Sequence, residues 1–379
     1  MPARLALLAL LTVIPFAPAG EPDKWWGEPV EKALAKAKDN REEIEKALAG
    51  VPKDQRPGMA FLVEHMREAD LKTLKADFLI ANAKLAYAAR TEFPWGKGIA
   101  DDLFFNDVLP YANVDEKRDS WRQELYDLCK PLVKDCKTPT EVAMKLNGEL
   151  FKTVKVGYST QRKKPNQSPA ESMETGKASC TGLSIILVDA CRAVGVPARV
   201  VGTPLWANKS GNHTWVEVWD KDWHFTGACE PDPSGLDRGW FVGNAGEAKK
   251  DDPKHGIFAA SYKPADTHFP LVWAMSDRSV HAVNVTDRYA KPPAAKDLFK
   301  LQIKVVNADG KRVVKAVTVT DAAKKEQTGK SNDDTADANN HLTFLLPPNA
   351  EVTVGVGEQK QTLTTGKAGE TKVVELKVK

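Results

Sequence analysis

Two residues of this chain have the type and setting for nucleophilic chemistry. Cys180 follows Gly176-Lys177-Ala178-Ser179, where a helix is expected to start. A thiol there faces unsatisfied N–H groups and the positive end of the helix dipole, which favours the thiolate, its nucleophilic form. His213 opens the alternating run His213-Thr214-Trp215-Val216-Glu217-Val218-Trp219. Period-two alternation puts His213, Trp215, Glu217 and Trp219 on one strand face. A nucleophilic Cys needs an imidazole to take its proton and later to protonate the leaving group. Each residue alone has a plainer explanation: a buried or disulfide-bonded Cys, a structural strand His. A helix-start Cys with a strand-start His carries more weight than either.

The elements that must position this pair are legible. Leu183, Leu187, Ala190 and Val194 share one face of a helix from Cys180 to Val194, and Gly195 with Pro197 ends it. Ala198 to Gly202 reads as a short buried strand. His213–Trp219 and Trp223–Glu230 both alternate and are joined by Asp220-Lys221-Asp222 as a hairpin. Upstream the pattern is helical. Helices are expected over 28–50, 59–67, 71–90, 121–129 and 139–153, with an irregular aromatic-rich connection over 93–118. Pro131 is expected to disturb the fourth of these.

The pattern Gly176-x3-Cys180, Cys191-Arg192-Ala193-Val194-Gly195-Val196-Pro197-Ala198-Arg199, His213-x-Trp215-x-Glu217-Val218-Trp219 and Trp223 resembles the transglutaminase-like superfamily of papain-type thiol enzymes. The resemblance covers about residues 150–290. It implies an α+β papain-like core and a Cys–His–Asp triad with Cys180 as nucleophile and His213 as base and acid. Tyr111, Asp115-Glu116 and Trp121 are similar to the accessory region of exported bacterial members. Trp223–Glu230 is similar to a stretch of peptide N-glycanases in which Asp-x-Cys-Glu stands where this chain has Gly227-Ala228-Cys229-Glu230.

The triad acid is therefore missing from its expected place. If Trp219 pairs with Trp223, Trp215 opposes position 227, and 227 is a same-face diagonal neighbour of His213 at about 7–8 Å. An Asp there reaches the ring and Gly does not. Glu217 shares the face but lies four residues along, about 13 Å away. Glu230 is on the opposite face unless a bulge at Gly227 turns it inward. Glu230 is the expected substitute, with Asp232 behind it.

Other features read as scaffold first. Cys191 is a packed hydrophobe on the core side of its helix. Arg192, Arg199 and His224 are more simply structural than substrate-binding. Gln161 and Gln167 are possible oxyanion donors. Five of the ten Trp fall between 206 and 240 and either line a groove or fill the hairpin core. A Cys129–Cys136 disulfide is expected only if Pro131 interrupts the helix, because an unbroken helix would hold the two about 10.5 Å apart, beyond the ~7 Å limit. No spacing of ligand residues demands a metal, and no cofactor is expected.

Four segments are expected: a signal peptide over 1–19, a helical accessory region over 20–149, the catalytic core over 150–291 and a β-sandwich over 297–379. The first has Arg4, a 12-residue apolar run from Leu5 to Phe16 and Ala17-Pro18-Ala19, the pattern of a cleavable leader too short to span a bilayer. The expected location is secreted or periplasmic, with no integral membrane segment. Pro292-Pro293-Ala294-Ala295 is a linker, and the short Val- and Thr-rich strands after it suggest a transthyretin- or carboxypeptidase-regulatory-like sandwich. The 379 residues carry 54 basic and 51 acidic side chains, net +3. That balance lacks the basic footprint of nucleic-acid binding.

The expected function is an exported thiol enzyme acting on carboxamide or peptide bonds of a protein or peptide substrate. Hydrolysis is favoured over cross-linking. The alternative is a degenerate domain that binds peptides or glycans, for which Gly227 is the supporting feature. Oligomeric state is not legible.

Overall fold

A computed structural model describes residues 24–290, 298–322 and 324–378. The expected leader and the stretch 292–295 lie outside the described residues. The architecture is α+β, with helices first and strands last.

The N-terminal helices pack around Leu34, Ile44, Leu48, Met59, Leu62 and Leu79, all fully buried. The expected 28–50 helix is two, Glu28–Lys36 and Arg41–Gly50. Lys38 takes a left-handed φ of 52° between them. Asn40, at the second start, donates from its amide to the Leu71 and Leu74 carbonyls. Tertiary bonding of one Asn thus overrides local helix continuity. The connection over 93–118 contains a short helix, Asp101–Asp107, whose seven residues are too few to show periodicity. The helix Trp121–Leu132 accommodates Pro131 in its last turn rather than breaking before it.

The core is an antiparallel six-stranded sheet. Its order is Asp222–Thr226, His213–Asp220, Ala198–Thr203, Phe258–Ser261, His281–Asn284 and Thr267–His268. The hairpin register pairs Trp219 with Trp223, as alternation predicted. Asp220 pairs with Asp222, and Lys221 alone forms the tip with φ 66°. The helix Cys180–Ala193 lies on the sheet and buries Ile186, Leu187 and Ala190 with Val200, Val216 and Val218.

The C-terminal strands form a sandwich. One sheet orders Glu326–Lys330, Ala316–Asp321, Glu351–Val356 and Gln359–Thr364. The other orders Leu342–Leu346, Phe299–Val306 and Thr371–Lys377. Phe299, Leu301, Ile303 and Val305 alternate inward to the sandwich core. Glu326–Lys330 and Gln359–Thr364 were not legible as strands, because their side chains are almost all polar.

The loop 331–341 of the sandwich rests on the core. The Ala338 N–H donates to the Tyr158 hydroxyl at 2.9 Å, and the Asn339 amide donates to the Asn212 carbonyl at 2.7 Å. A Cβ at Gly211 would lie 2.3 Å from Asn339 Oδ1, and Gly211 has φ +125°. Both the close approach and the backbone require glycine there.

Candidate active site

Cys180 is the first residue of its helix. Ser179 caps that helix by accepting the Gly182 N–H at 3.1 Å. Gly176 ends the preceding helix, Pro169–Thr175, in a left-handed conformation with φ 66°. This Gly–x3–Cys spacing is therefore one helix stop followed directly by one helix start. Lys177–Ala178 pairs in parallel with Gly157–Tyr158, which brings Tyr158 to the same corner.

His213 begins its strand and is 2% exposed. The residues after the pair tie it together: the Thr181 and Thr214 hydroxyls share a hydrogen bond of 3.0 Å. The imidazole sits in an aromatic cage. Its centroid is 4.7 Å from the Trp240 ring, 4.9 Å from Phe241 and 5.9 Å from Trp215.

The carboxylate beside His213 comes from neither Gly227 nor Glu230. It is Asp337, on the 331–341 loop of the sandwich, with Oδ2 at 3.6 Å from His213 Nδ1. Cys180 Sγ, a His213 ring nitrogen and an Asp337 oxygen all lie within 4.8 Å of one another. Asp337 Oδ1 accepts the Asn339 N–H at 2.8 Å. Arg312, 7% exposed, braces the loop from beneath by donating to the Asp337 carbonyl at 2.9 Å and to Asp334 at 3.1 Å. Asp337 is more than a hundred residues from His213 in sequence, in a polar loop without periodicity. No sequence signal marked it.

Burial alone would push His213 down and Asp337 up. Each is overruled by the other. Asp337 and then Cys180 raise His213 to about 10, while the His213 charge and the Asn339 N–H hold Asp337 below its ordinary value. The pair is thus an imidazolium–carboxylate ion pair. At 3.6 Å it is longer than a hydrogen bond.

Glu230, the expected substitute, has a different hydrogen-bond partner. It is on the His213 side: Cys229 adopts φ 64° and turns the chain after the strand ends at Thr226. Yet its carboxylate accepts the Trp240 indole N–H at 2.9 Å rather than orienting the imidazole. A Cβ at Gly227 would lie 2.3 Å from Glu230 Oε2, so Glu230 occupies the space of the missing side chain. Burial raises Glu230 to about 7, with the His213 charge opposing and Asp337 adding.

Two expected results follow. Gly227→Asp should bring no gain in activity and a lowered Tm, because the new side chain displaces Glu230 from Trp240; a gain in turnover would overturn this. Glu230→Gln keeps an acceptor for the indole and should leave turnover within about threefold. A folded-state carboxyl raised from 4.5 to about 7 contributes stability that is full below pH 4.5 and is lost as pH rises through 7. The Gln variant should therefore lack that part of the parent's fall in Tm between pH 4.5 and 7, as differential scanning would read.

The remaining candidates are scaffold. Asp232 accepts the Ser234 N–H in a local turn. Gln161 accepts from Lys177, and Gln167, fully buried, bonds the 163–177 backbone. The Cys180 N–H, first of its helix, has by position no intrahelical acceptor and can serve as an oxyanion donor. Arg199 pairs with Glu217 at 2.6 Å and lies over Trp223. Arg192 donates to the Asp107, Ala112 and Ala198 carbonyls. His224 pairs with Asp237 on the surface. Trp206 and Trp215 are core, whereas Trp240 is only partly buried. All five cysteines carry free thiols, so the Cys129–Cys136 bridge is not formed. Burial raises the Cys191 thiol to about 12, consistent with an inert packed residue.

Residues 126–242 match the family model of the transglutaminase-like superfamily. That stretch, holding Cys180 and His213, is a transglutaminase-like core. Among solved structures the chain is similar to a candidate cysteine protease of Cytophaga hutchinsonii, at 15% identity and TM-score 0.29, over 39% of this chain and 50% of that one. It is also similar to red sea bream transglutaminase, at 9% identity and TM-score 0.29, over 65% of this chain and 58% of that one. The pilus adhesin SpaC of Lactobacillus rhamnosus GG follows at 11% identity and TM-score 0.17, over 45% of this chain and 24% of that one. The chain thus spans little more than half the length of the first two. A comparison with curated proteins finds no match. The likeness of Trp223–Glu230 to peptide N-glycanases rests on sequence alone. Among the described residues no helix is long and apolar enough to cross a membrane.

Proposed function

We propose that this chain is an exported thiol hydrolase of carboxamide or peptide bonds, with Cys180, His213 and Asp337 as its catalytic group. The observation that carries the proposal is the meeting of the three side chains within 4.8 Å, with the carboxylate on His213 Nδ1. That contact leaves Nε2 for the thiol. The thiolate attacks the carbonyl carbon, and the oxyanion faces the N-terminus of the Cys180 helix. The C–N bond breaks and the amine leaves with the His213 proton. Water then attacks the thioester, His213 takes its proton, the C–S bond breaks and the acid is released. Amine in place of water gives cross-linking by the same steps. Hydrolysis is preferred because Cys180 is partly exposed, so water reaches the acyl-enzyme. The degenerate-module reading rests on Gly227, and the Asp337 carboxylate beside His213 supports the catalytic reading over it.

The test is alkylation of the full chain by iodoacetamide with turnover followed in parallel. Cys180 is partly exposed and lies beside His213, whereas Cys129 and Cys191 are buried. Labelling of Cys180 should outpace that of the two buried thiols, and turnover should fall in step with it. Turnover that survives complete labelling of Cys180 would reject the proposal.

A further inference from the structure

The seam that brings Asp337 to His213 continues into a cleft of about 1360 Å³ between core and sandwich. That is larger than the roughly 300–1,000 Å³ of a small-molecule pocket. Trp240, whose ring touches His213, forms part of its wall, as do Asn208 and Lys209 just before His213 and His341 just after Asp337. Its other wall is the outer face of the three-stranded sheet. Lys300 and Gln302 point there, opposite Leu345 and Thr343 on the neighbouring strand.

Three features of the cleft point to an occupant. Gln302 is 4% exposed, yet its Oε1 has no hydrogen-bond partner among the described residues. Thr371 Oγ1, on the same wall, is likewise unpartnered. Leaving a buried acceptor unmade is costly, so such groups await a donor. Leu345 on this wall is 44% exposed, an apolar contact left open. The charge is asymmetric. Lys300 is paired with Glu247, which leaves Lys209, Lys249 and Lys372 against Glu370.

We propose that this cleft binds an extended acidic polypeptide segment, the part of the substrate flanking the bond that Cys180 attacks. The inference rests on the thiol-enzyme reading. Backbone N–H groups of such a segment satisfy Gln302 and Thr371, its apolar side chains meet Leu345 and Trp240, and its carboxylates meet the free lysines. A polypeptide fits the carboxamide chemistry of the adjoining site better than a glycan does.

Binding can be read without turnover, so its failure is distinguishable from failure of the alkylation test. The probe is a fluorescein-labelled twelve-residue Glu/Ala/Leu peptide, titrated by fluorescence anisotropy into the full chain carrying Cys180→Ser. A Lys/Ala/Leu peptide and a chito-oligosaccharide are the comparisons. The acidic peptide should bind at least about tenfold tighter than the basic one, and raising salt from 50 to 500 mM should weaken it severalfold. Lys209→Glu with Lys372→Glu should weaken it about tenfold. Gln302→Leu should weaken it severalfold without lowering Tm. Equal binding of both peptides, no binding of either, or preferential binding of the oligosaccharide overturns the proposal.

Discussion

Asp337→Asn should lower kcat about 10⁴-fold with little change in KM, the loss seen in the serine-enzyme triad when its Asp becomes Asn. The residue sits in another layer of the molecule from Cys180 and His213, so this is a demanding expectation. The Asn side chain still accepts the Asn339 N–H through Oδ1, and the loop keeps its Arg312 brace. Folding should therefore survive. What is lost is the charge that holds His213 protonated against the pull of burial. The imidazole should titrate markedly lower in this variant, as histidine ring NMR would show. Retention of activity within tenfold would remove Asp337 from the catalytic group. The comparison with Glu230→Gln sharpens the test, because Glu230 is nearby but bonds Trp240 instead of the imidazole.

Cys180→Ser should lower turnover by about 10⁶ and abolish iodoacetamide labelling at that position. Loss of the nucleophile alone costs about that much in a comparable triad. The variant also carries a stability signature. His213 is raised from 6.5 to about 10 by Asp337 and Cys180. A raised histidine contributes stability that is full below about pH 6.5 and is lost as pH rises through 10. Without the thiol the folded value falls towards 6.5, so that stability should be lost at lower pH than in the parent. Cysteine, histidine and carboxylate within 4.8 Å are also close enough to share a metal ion. A chelator distinguishes the two arrangements. If the trio is catalytic, EDTA leaves turnover and labelling unchanged; if labelling rises and turnover falls on chelation, the three residues hold a metal.

Cys180 and His213 were legible as a candidate pair because local rules place them. A capped helix start and a strand start are written in a few consecutive residues, Ser179-Cys180 and His213-Thr214. The hairpin register was legible because Trp219 and Trp223 flank a tight turn, and the period of two carries it along both strands. Cys191 read as a packed residue from its place on the core side of its helix, and it is fully buried. Strands with mostly polar side chains, such as Gln359–Thr364, were not legible, since their pairing comes from neighbours rather than from their own alternation.

The carboxylate beside His213 shows where local reasoning ends. Sequence by itself determined that position 227 lacks a side chain and that Glu230 was the nearest substitute. Only the tertiary structure decided that Glu230 fills the space above Gly227 and bonds an indole, and that a loop of the sandwich lays Asp337 on the imidazole. Alternation and capping act between residues a few positions apart. Docking two separately cored layers depends on contacts such as Gly211 against Asn339 and Ala338 against Tyr158, while Arg312 holds the loop within the sandwich. None of those contacts has a periodic or short-range signature, because each joins residues well separated in sequence.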